Sequence, residues 1–297
     1  MRLGDYRESD NVEQQGGGRS GLGGFGGGGG GLGLIFGLVA SRFGIGGIVI
    51  LVIGMMLFGF NPLSLVGGGS PQQVQTTRQA PAQVCDADAA HAFSCRVLAS
   101  TEDTWARIFQ QSGQQYQPTT LSFYDRAGQS GCGAAQSAMG PFYCPTDRKI
   151  YLDPEFFDEL TTRFQAAGDF AQAYVIAHEV GHHVQDLLGT LGSVHQQQQA
   201  AGKAAGNALQ VRIELQADCY AGVWAAQNRT RLDPGDIEEG LRAAQAIGDD
   251  TLQKSAGQTP VPDSFTHGTS AERMAWLKRG LDSGDPAKCD TFSGSID

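Results

Sequence analysis

The sequence predicts a helix-dominated α+β domain with a small sheet, preceded by one transmembrane helix. Three observations carry this prediction: apolar residues recur at helical spacing over long stretches, two short runs have the composition of strands, and residues 43–60 contain no charged side chain. The helical patterns cover residues 104–110, 154–164, 168–188, 203–228, 234–248 and 269–282, and the strand-like runs cover residues 121–124 and 149–152.

Residues 1–42 are predicted to be a disordered, glycine-rich segment on the cytoplasmic side. The chain contains 43 glycines in 297 residues, whereas the usual share is about 7%. Most of the excess lies near the N-terminus. Such a segment buries too little apolar surface to offset the conformational entropy that is lost on ordering.

Residues 43–60, FGIGGIVILVIGMMLFGF, are predicted to cross the membrane as one helix. Eighteen uncharged residues are close to the minimum length of a spanning helix, and glycine is common within such helices. A cleaved signal peptide, a buried core helix and an interfacial helix are the alternatives. A signal peptide fits poorly because the run begins far from Met1 and no small-residue cleavage site stands out after it.

The arginines around this span predict its orientation. Four precede it, and no Lys or Arg follows it before Arg78, so the positive-inside rule places the N-terminus in the cytoplasm. Residues 61–84, rich in Gly, Pro, Gln and Thr, form a flexible tether. We therefore expect a single-pass inner-membrane protein whose residues 85–297 fold as a periplasmic or extracellular domain. The four arginines are Arg2, Arg7, Arg19 and Arg42.

The cysteines favour the same compartment. All six follow the apolar segment and none belongs to a CxxC pair, which indicates disulfides in an oxidising environment. Buried free thiols in a cytosolic protein are the alternative. Local spacing favours the pairs Cys85–Cys95 and Cys132–Cys144, which leaves Cys219 for Cys289.

The charge pattern argues against nucleic acid as a partner. The formal net charge is -10, and the Lys and Arg residues are scattered along the chain. A nucleic-acid-binding domain would carry a basic stripe or patch. Nothing in the sequence predicts the oligomeric state.

The segment AYVIAHEVGHHVQ carries the HExxH pattern. His178 and His182 are four residues apart, so on a helix both imidazoles face one side and can reach one metal ion. Glu179 follows the first histidine and is placed to act as a general base. A chance match, or a histidine pair that merely caps or solvates a helix, is the alternative.

A third metal ligand is expected because a catalytic zinc ion takes three protein ligands and a water. In RIELQADCYAGVW, Glu214 and Asp218 share one face of an otherwise apolar helix, where carboxylates are costly unless they are paired or bind a metal. Glu214 would complete a His2Glu site, and Asp218 would accept a hydrogen bond from a ligand histidine. A plain acidic helix face is the alternative.

Three other histidines were candidates for the third ligand. His183 points about 100° away from His182 on a helix, and His195 lies in a polar glutamine-rich stretch. His267 precedes a helix near the C-terminus and could enter the cleft. The HxxGxxH extension of metzincins is absent after His182.

Several segments together resemble the bacterial family of neutral zinc metallopeptidases. The glycine-rich N-terminus with one span, HEVGHHVQ and ELQADCYAGVW match that family, as do GPFYCPTDRKIYLD and HGTSAERMAWLKRG. The resemblance implies a zincin-like fold and one Zn²⁺ per chain, bound by His178, His182 and Glu214. It also implies Glu179 as the general base and Asp218 as a hydrogen-bond partner of a ligand histidine.

The same resemblance implies a membrane-anchored endopeptidase that hydrolyses peptide bonds of a peptide or protein substrate through a metal-activated water. By looser analogy, Gly140–Pro145 would be an edge strand that aligns the substrate. His267 would donate a hydrogen bond to the oxyanion, with Tyr220 as a weaker candidate. A non-catalytic zinc-binding envelope scaffold, or pseudo-protease, is the alternative function.

Overall fold

The computed structural model describes residues 1–16 and 79–296. The predicted span 43–60 and most of the predicted tether therefore lie outside the described residues. Within the described part of the chain, no helix is long and apolar enough to cross a membrane. The α+β prediction is confirmed for the domain, which combines helices with two small sheets.

Nine α-helices make up most of the described chain. All six predicted helical patterns are present, although the first is much longer than predicted and becomes α2. The helices are α1 Pro81–Cys85, α2 Ala89–Gln111, α3 Glu155–Thr162, α4 Asp169–Leu187, α5 Thr190–Ala200, α6 Lys203–Gln227, α7 Asp236–Ala246, α8 Asp249–Ser255 and α9 Ser270–Ser283. Because α1 begins at Pro81, the folded domain starts within the predicted tether.

Six strands form two sheets. The larger sheet has the order β1-β2-β6-β5, in which β1, β2 and β6 are parallel and β5 runs antiparallel to β6 at the edge. Both predicted strands lie in the middle of this sheet. The strands are β1 Val12–Gln14, β2 Thr120–Phe123, β3 Ala127–Ser130, β4 Gly133–Gln136, β5 Phe142–Cys144 and β6 Lys149–Leu152, with β3 and β4 forming a separate hairpin.

The three disulfides have the predicted connectivity. Cys85 pairs with Cys95, Cys132 with Cys144, and Cys219 with Cys289. The first two close short loops, and the third ties α6 to the C-terminal segment. Each bridge restricts the unfolded chain, which is the usual source of disulfide stabilisation.

Helices α6 and α9 pack closely because glycines line their contact. A Cβ atom on Gly222 would lie 2.1 Å from the carbonyl oxygen of Leu277, and one on Gly280 would lie 1.9 Å from that of Cys219. Helix α9 also begins with a capping box, in which Thr269 and Glu272 exchange side-chain and backbone hydrogen bonds. The capping box therefore defines where α9 begins, and the glycine contacts define how closely α9 approaches α6.

Residues 1–16 form an ordered arm on the domain, so the prediction of disorder is wrong for this part of residues 1–42. Leu3 and Val12 are buried in the main hydrophobic core, and β1 pairs with β2. The α-ammonium group of Met1 lies 2.6 Å from Asp169, the first residue of α4. The arm has a polar composition, and its partners lie far along the chain, where local patterns give no sign of them.

We predict that Gly280→Ala destabilises the domain. The new methyl group would overlap the Cys219 carbonyl oxygen, and overpacking of this kind costs roughly 1–3 kcal/mol. Thermal unfolding measures the loss. Gly206→Ala is the matched control, because its Cβ would meet only the Gln198 carbonyl oxygen at 4.0 Å. Equal melting temperatures for the two variants would contradict the packing argument.

Candidate metal centre

Helix α4 places two histidines side by side. His178 and His182 are one helical turn apart, and their rings lie 4.7 Å apart at an angle of 86°. The helix is almost entirely buried from Phe170 to Gln185, because apolar residues occupy nearly all its other positions. The backbone of the HExxH segment is consequently held by core packing.

Helix α6 brings Glu214 to these histidines. Its Oε2 atom lies 3.2 Å from Nε2 of His178 and 3.6 Å from Nε2 of His182. One potential ligand atom from each of the three residues lies within 4.8 Å of the others. Two imidazole nitrogens and one carboxylate oxygen are the donor set of many catalytic zinc sites.

The close approach of α4 and α6 depends on Gly181, which lies between the two histidines. A Cβ atom there would be 3.0 Å from both Cα and the carbonyl oxygen of Ala217. Such contacts are tighter than packed side chains normally allow. The absence of a side chain at Gly181 therefore serves close packing of the helices that carry the ligands.

Each candidate ligand has its other polar atom engaged by a neighbour. Nδ1 of His178 lies 2.8 Å from Oδ1 of Asp218, and Nδ1 of His182 lies 2.9 Å from Oε1 of Gln185. Gln210 donates to Oε1 of Glu214 at 2.9 Å. These bonds orient Nε2 of each histidine and Oε2 of Glu214 toward one point. Hydrogen bonds of this kind commonly orient the ligands of metal sites.

Asp218, on α6, is itself held by two other side chains. The hydroxyl of Tyr174 donates to Oδ1 at 2.5 Å. Arg273, on α9, donates from Nε to Oδ2 at 2.8 Å and from Nη2 to Oδ1 at 2.9 Å. Asp218 is fully buried and Arg273 is only 2% exposed, so this bidentate pair is shielded from water.

Sequence reasoning predicted Asp218 but missed Arg273, Gln185 and Gln210. Arg273 lies in the quoted segment HGTSAERMAWLKRG, yet nothing in its spacing relates it to α6. The one available signal was chemical: two carboxylates on an apolar helix require a nearby cation. That requirement does not say which Arg or Lys supplies it.

The electrostatics of the centre favour a cation. Burial opposes charge on His178, but Asp218 and Glu214 outweigh it and raise the pKa of its imidazole to about 10. Burial would also raise the pKa of Glu214, yet His182 and His178 hold that pKa well below its usual value. The buried carboxylates thus bind positive charge at this point, which a metal ion would also supply.

Glu179 lies beside the centre without belonging to the ligand set. Burial raises the pKa of its carboxyl group, while the backbone N–H of Tyr143 in strand β5 acts in the opposite direction. A carboxylate with an elevated pKa is better suited to accept and return a proton. Glu179 therefore lies beside strand β5, where the Tyr143 backbone N–H can reach its carboxylate.

His267 lies in the loop that precedes α9 and interacts electrostatically with Glu214. Its Nδ1 atom is 3.3 Å from Oδ1 of Asp249, and its side chain is 38% exposed. Oδ2 of Asp249 also accepts backbone N–H groups from Thr266, His267 and Gly268. The loop is therefore anchored at Asp249, and the hydrogen bonds described for the imidazole are made by Nδ1.

The other sequence candidates lie elsewhere. His183 is buried, with its nitrogens near the Tyr143 hydroxyl and the Gln117 carbonyl oxygen, and His195 is exposed on α5. The weaker oxyanion candidate, Tyr220, packs edge-on against Trp105 in the core, with ring centroids 5.3 Å apart. This ring is buried, and the oxyanion role of Tyr220 stays a prediction.

Comparison with known proteins agrees with this centre. Residues 1–292 match a family model described as "Putative neutral zinc metallopeptidase". The chain belongs to this family. The metallopeptidase model covers the N-terminal arm as well as the helices that carry His178, His182 and Glu214.

Relatives of this chain occur in Escherichia coli and Mycobacterium tuberculosis. The chain is 49% identical to "Uncharacterized protein YpfJ" of Escherichia coli (strain K12) over 302 residues, covering 100% of each chain. It is 41% identical over 263 residues to "Uncharacterized protein Rv2575" of Mycobacterium tuberculosis, covering 81% of this chain and 85% of the relative. No solved structure matches the chain.

We predict that Arg273 acts on zinc binding through Asp218. Arg273→Met should weaken zinc affinity by roughly 10–100-fold, the usual effect of disturbing outer-shell partners, and Arg273→Lys should restore part of it. Competition with a chromophoric chelator measures the dissociation constant.

A double-mutant cycle separates this role from simple support of the fold. If Arg273 works through Asp218, then Asp218→Asn combined with Arg273→Met should bind zinc no more weakly than Asp218→Asn alone. A folded Arg273→Met protein with unchanged zinc affinity and lower stability would make Arg273 a structural residue only.

Proposed function

We propose that this metallopeptidase is a zinc-dependent endopeptidase that hydrolyses peptide bonds of protein substrates outside the cytoplasm. The observation that carries the proposal is the convergence of Nε2 of His178, Nε2 of His182 and Oε2 of Glu214, each with its remaining polar atom hydrogen-bonded by a neighbour. Glu179 adds a carboxylate that is buried beside this set.

His178, His182 and Glu214 would hold one Zn²⁺. Zinc, when bound, supplies Lewis acidity and lowers the pKa of a coordinated water to around 7. Glu179 accepts the proton of the attacking water and returns it to the leaving amine. Asp218 keeps the Nδ1–H of His178 in place during this sequence, so that Nε2 stays available as a ligand.

The edge strand β5 supports an extended peptide as the substrate. It is the last strand of the larger sheet, and Tyr143 within it lies close to Glu179. The Tyr143 hydroxyl donates to Asp186 at 3.0 Å and lies 3.1 Å from Nδ1 of His183, so two side chains of helix α4 hold the strand at this residue. A peptide that adds to this edge by strand pairing would be aligned beside the base.

His267 is the proposed stabiliser of the oxyanion. Partial burial disfavours the charged imidazole, but the hydrogen bond with Asp249 and the charge of Glu214 outweigh this and raise its pKa. A protonated imidazole whose Nδ1 is engaged by Asp249 can donate from Nε2 to developing negative charge. Asp249 would then act as a positioning residue for His267.

An extracytoplasmic site of action is supported by the three disulfides, since such bridges persist mainly in oxidising compartments. A non-catalytic zinc scaffold remains the second candidate function. Structural zinc sites usually have four protein ligands, whereas the group described here has three. The buried Glu179 also has no role in a purely structural site.

We predict that Glu179→Gln keeps zinc and loses peptidase activity. The amide is similar in size to the carboxylate but cannot accept the proton, and loss of a general base costs roughly 10²–10⁴-fold in rate. Zinc content by mass spectrometry and cleavage of a denatured protein are measured together on the purified full-length chain.

The ligand variants complete this experiment. His178→Ala and Glu214→Ala should lose both zinc and activity, because each removes a ligand. An active Glu179→Gln protein would refute the role of the base. Stoichiometric zinc in both wild type and Glu179→Gln, with cleavage by neither, would favour the scaffold.

We predict that His267→Ala lowers kcat without loss of zinc. Removal of one oxyanion donor typically costs about 10²–10³-fold in kcat, and His267 is not among the three grouped ligands. Exposed His195 on α5 provides the matched control, and His195→Ala should behave as wild type. Normal turnover by His267→Ala would remove His267 from the mechanism.

A further inference from the structure

We infer that residues 1–16 are an integral part of the folded domain, so that residues 1–16 and residues 79–296 lie on the same side of the membrane. This inference does not depend on the proposed peptidase activity. It depends on how the arm, residues 1–16, is bound.

The first observation concerns a buried charge. Glu102, on α2, is 6% exposed. Its carboxylate receives hydrogen bonds from three residues of the arm: Nη2 of Arg7 at 2.8 Å, the hydroxyl of Ser9 at 2.5 Å and Nδ2 of Asn11 at 2.8 Å. Without the arm this carboxylate would lose all three of these hydrogen-bond partners.

The second observation concerns the sheet. Strand β1 pairs with β2 in parallel over three residues, from Val12 opposite Leu121 to Gln14 opposite Phe123. Gln15 continues the contact: its amide donates to the Gln129 carbonyl oxygen at 2.7 Å and accepts from the Gln129 N–H at 2.9 Å. Without the arm, the outer edge of β2 would be unpaired.

The third observation weakens the argument that the arm and the domain lie on opposite sides of the membrane. The orientation predicted from sequence relied on Arg2, Arg7, Arg19 and Arg42 as cytoplasmic charges. Arg7 instead pairs with Glu102 and Asp103, and Arg2 donates to the Thr230 carbonyl oxygen at 2.6 Å. Two of the four arginines thus have partners on the domain.

The topological consequence is direct. A single membrane crossing between residues 16 and 79 would place the arm and the domain in different compartments, where these contacts cannot form. Residues 16 and 79 therefore lie on the same side of the membrane. With the disulfides of the domain, that side is the extracytoplasmic one.

Binding of the arm to the domain is tested by zero-length cross-linking of the full-length chain in native membranes. Nζ of Lys149 on β6 lies 2.7 Å from Oε1 of Glu13 on β1, so a carbodiimide should join them as an amide with loss of water. Lys149→Arg keeps the positive charge and should abolish the cross-link. The pair Lys278–Asp282 on α9 is the positive control. Formation of the control link without the Glu13–Lys149 link would overturn the inference.

Sidedness is tested by labelling single introduced cysteines with a membrane-impermeant maleimide in cells with a permeabilised outer membrane. Asp10→Cys reports on the arm and Gln258→Cys on the domain, and both positions are exposed. We expect both to be labelled before lysis. Labelling of Gln258→Cys alone before lysis would overturn the inference. Labelling of both only after lysis would support the shared side and contradict only the extracytoplasmic location.

Discussion

The burial of two carboxylates on α6 is the constraint on which the rest of this structure depends. Glu214 and Asp218 project from a helix that is buried over most of its length, and a carboxylate in such a place must be compensated. Asp218 is compensated by Arg273, Tyr174 and His178, and Glu214 by the two histidines and Gln210. The packing of α4, α6 and α9 is therefore tied to the chemistry of the centre, because each of these helices supplies a partner.

The difference between Glu214 and Asp218 follows from what surrounds each. Asp218 is paired with the permanently charged Arg273. This pairing outweighs the opposing effect of burial and lowers the pKa of the Asp218 carboxyl group to about 2. Glu214 is instead partnered by the imidazoles of His178 and His182 and by the side-chain amide of Gln210. Two carboxylates one helical turn apart are thus divided into one that holds the scaffold together and one that is available to an ion.

Some of this could be predicted from sequence, and the physical reason is the range of each interaction. The HExxH and ExxxD spacings are properties of single helices, so His178, His182, Glu214 and Asp218 were identified together. The partners Gln185, Gln210 and Arg273 act through tertiary geometry, and long polar side chains carry no spacing signal. The arm was misjudged because its composition is polar; its order depends on Glu102 and β2, which are about ninety residues or more away.

The larger sheet ends in β1 on one side and in β5 on the other. Strand β1 covers one edge with the chain's own N-terminal residues, while β5 forms the other edge beside Glu179. Exposed strand edges recruit other extended chains without discrimination. Under the proposed function, a strand that pairs with the β5 edge would lie beside Glu179, so a feature that elsewhere invites edge-to-edge aggregation would here direct an extended polypeptide toward cleavage.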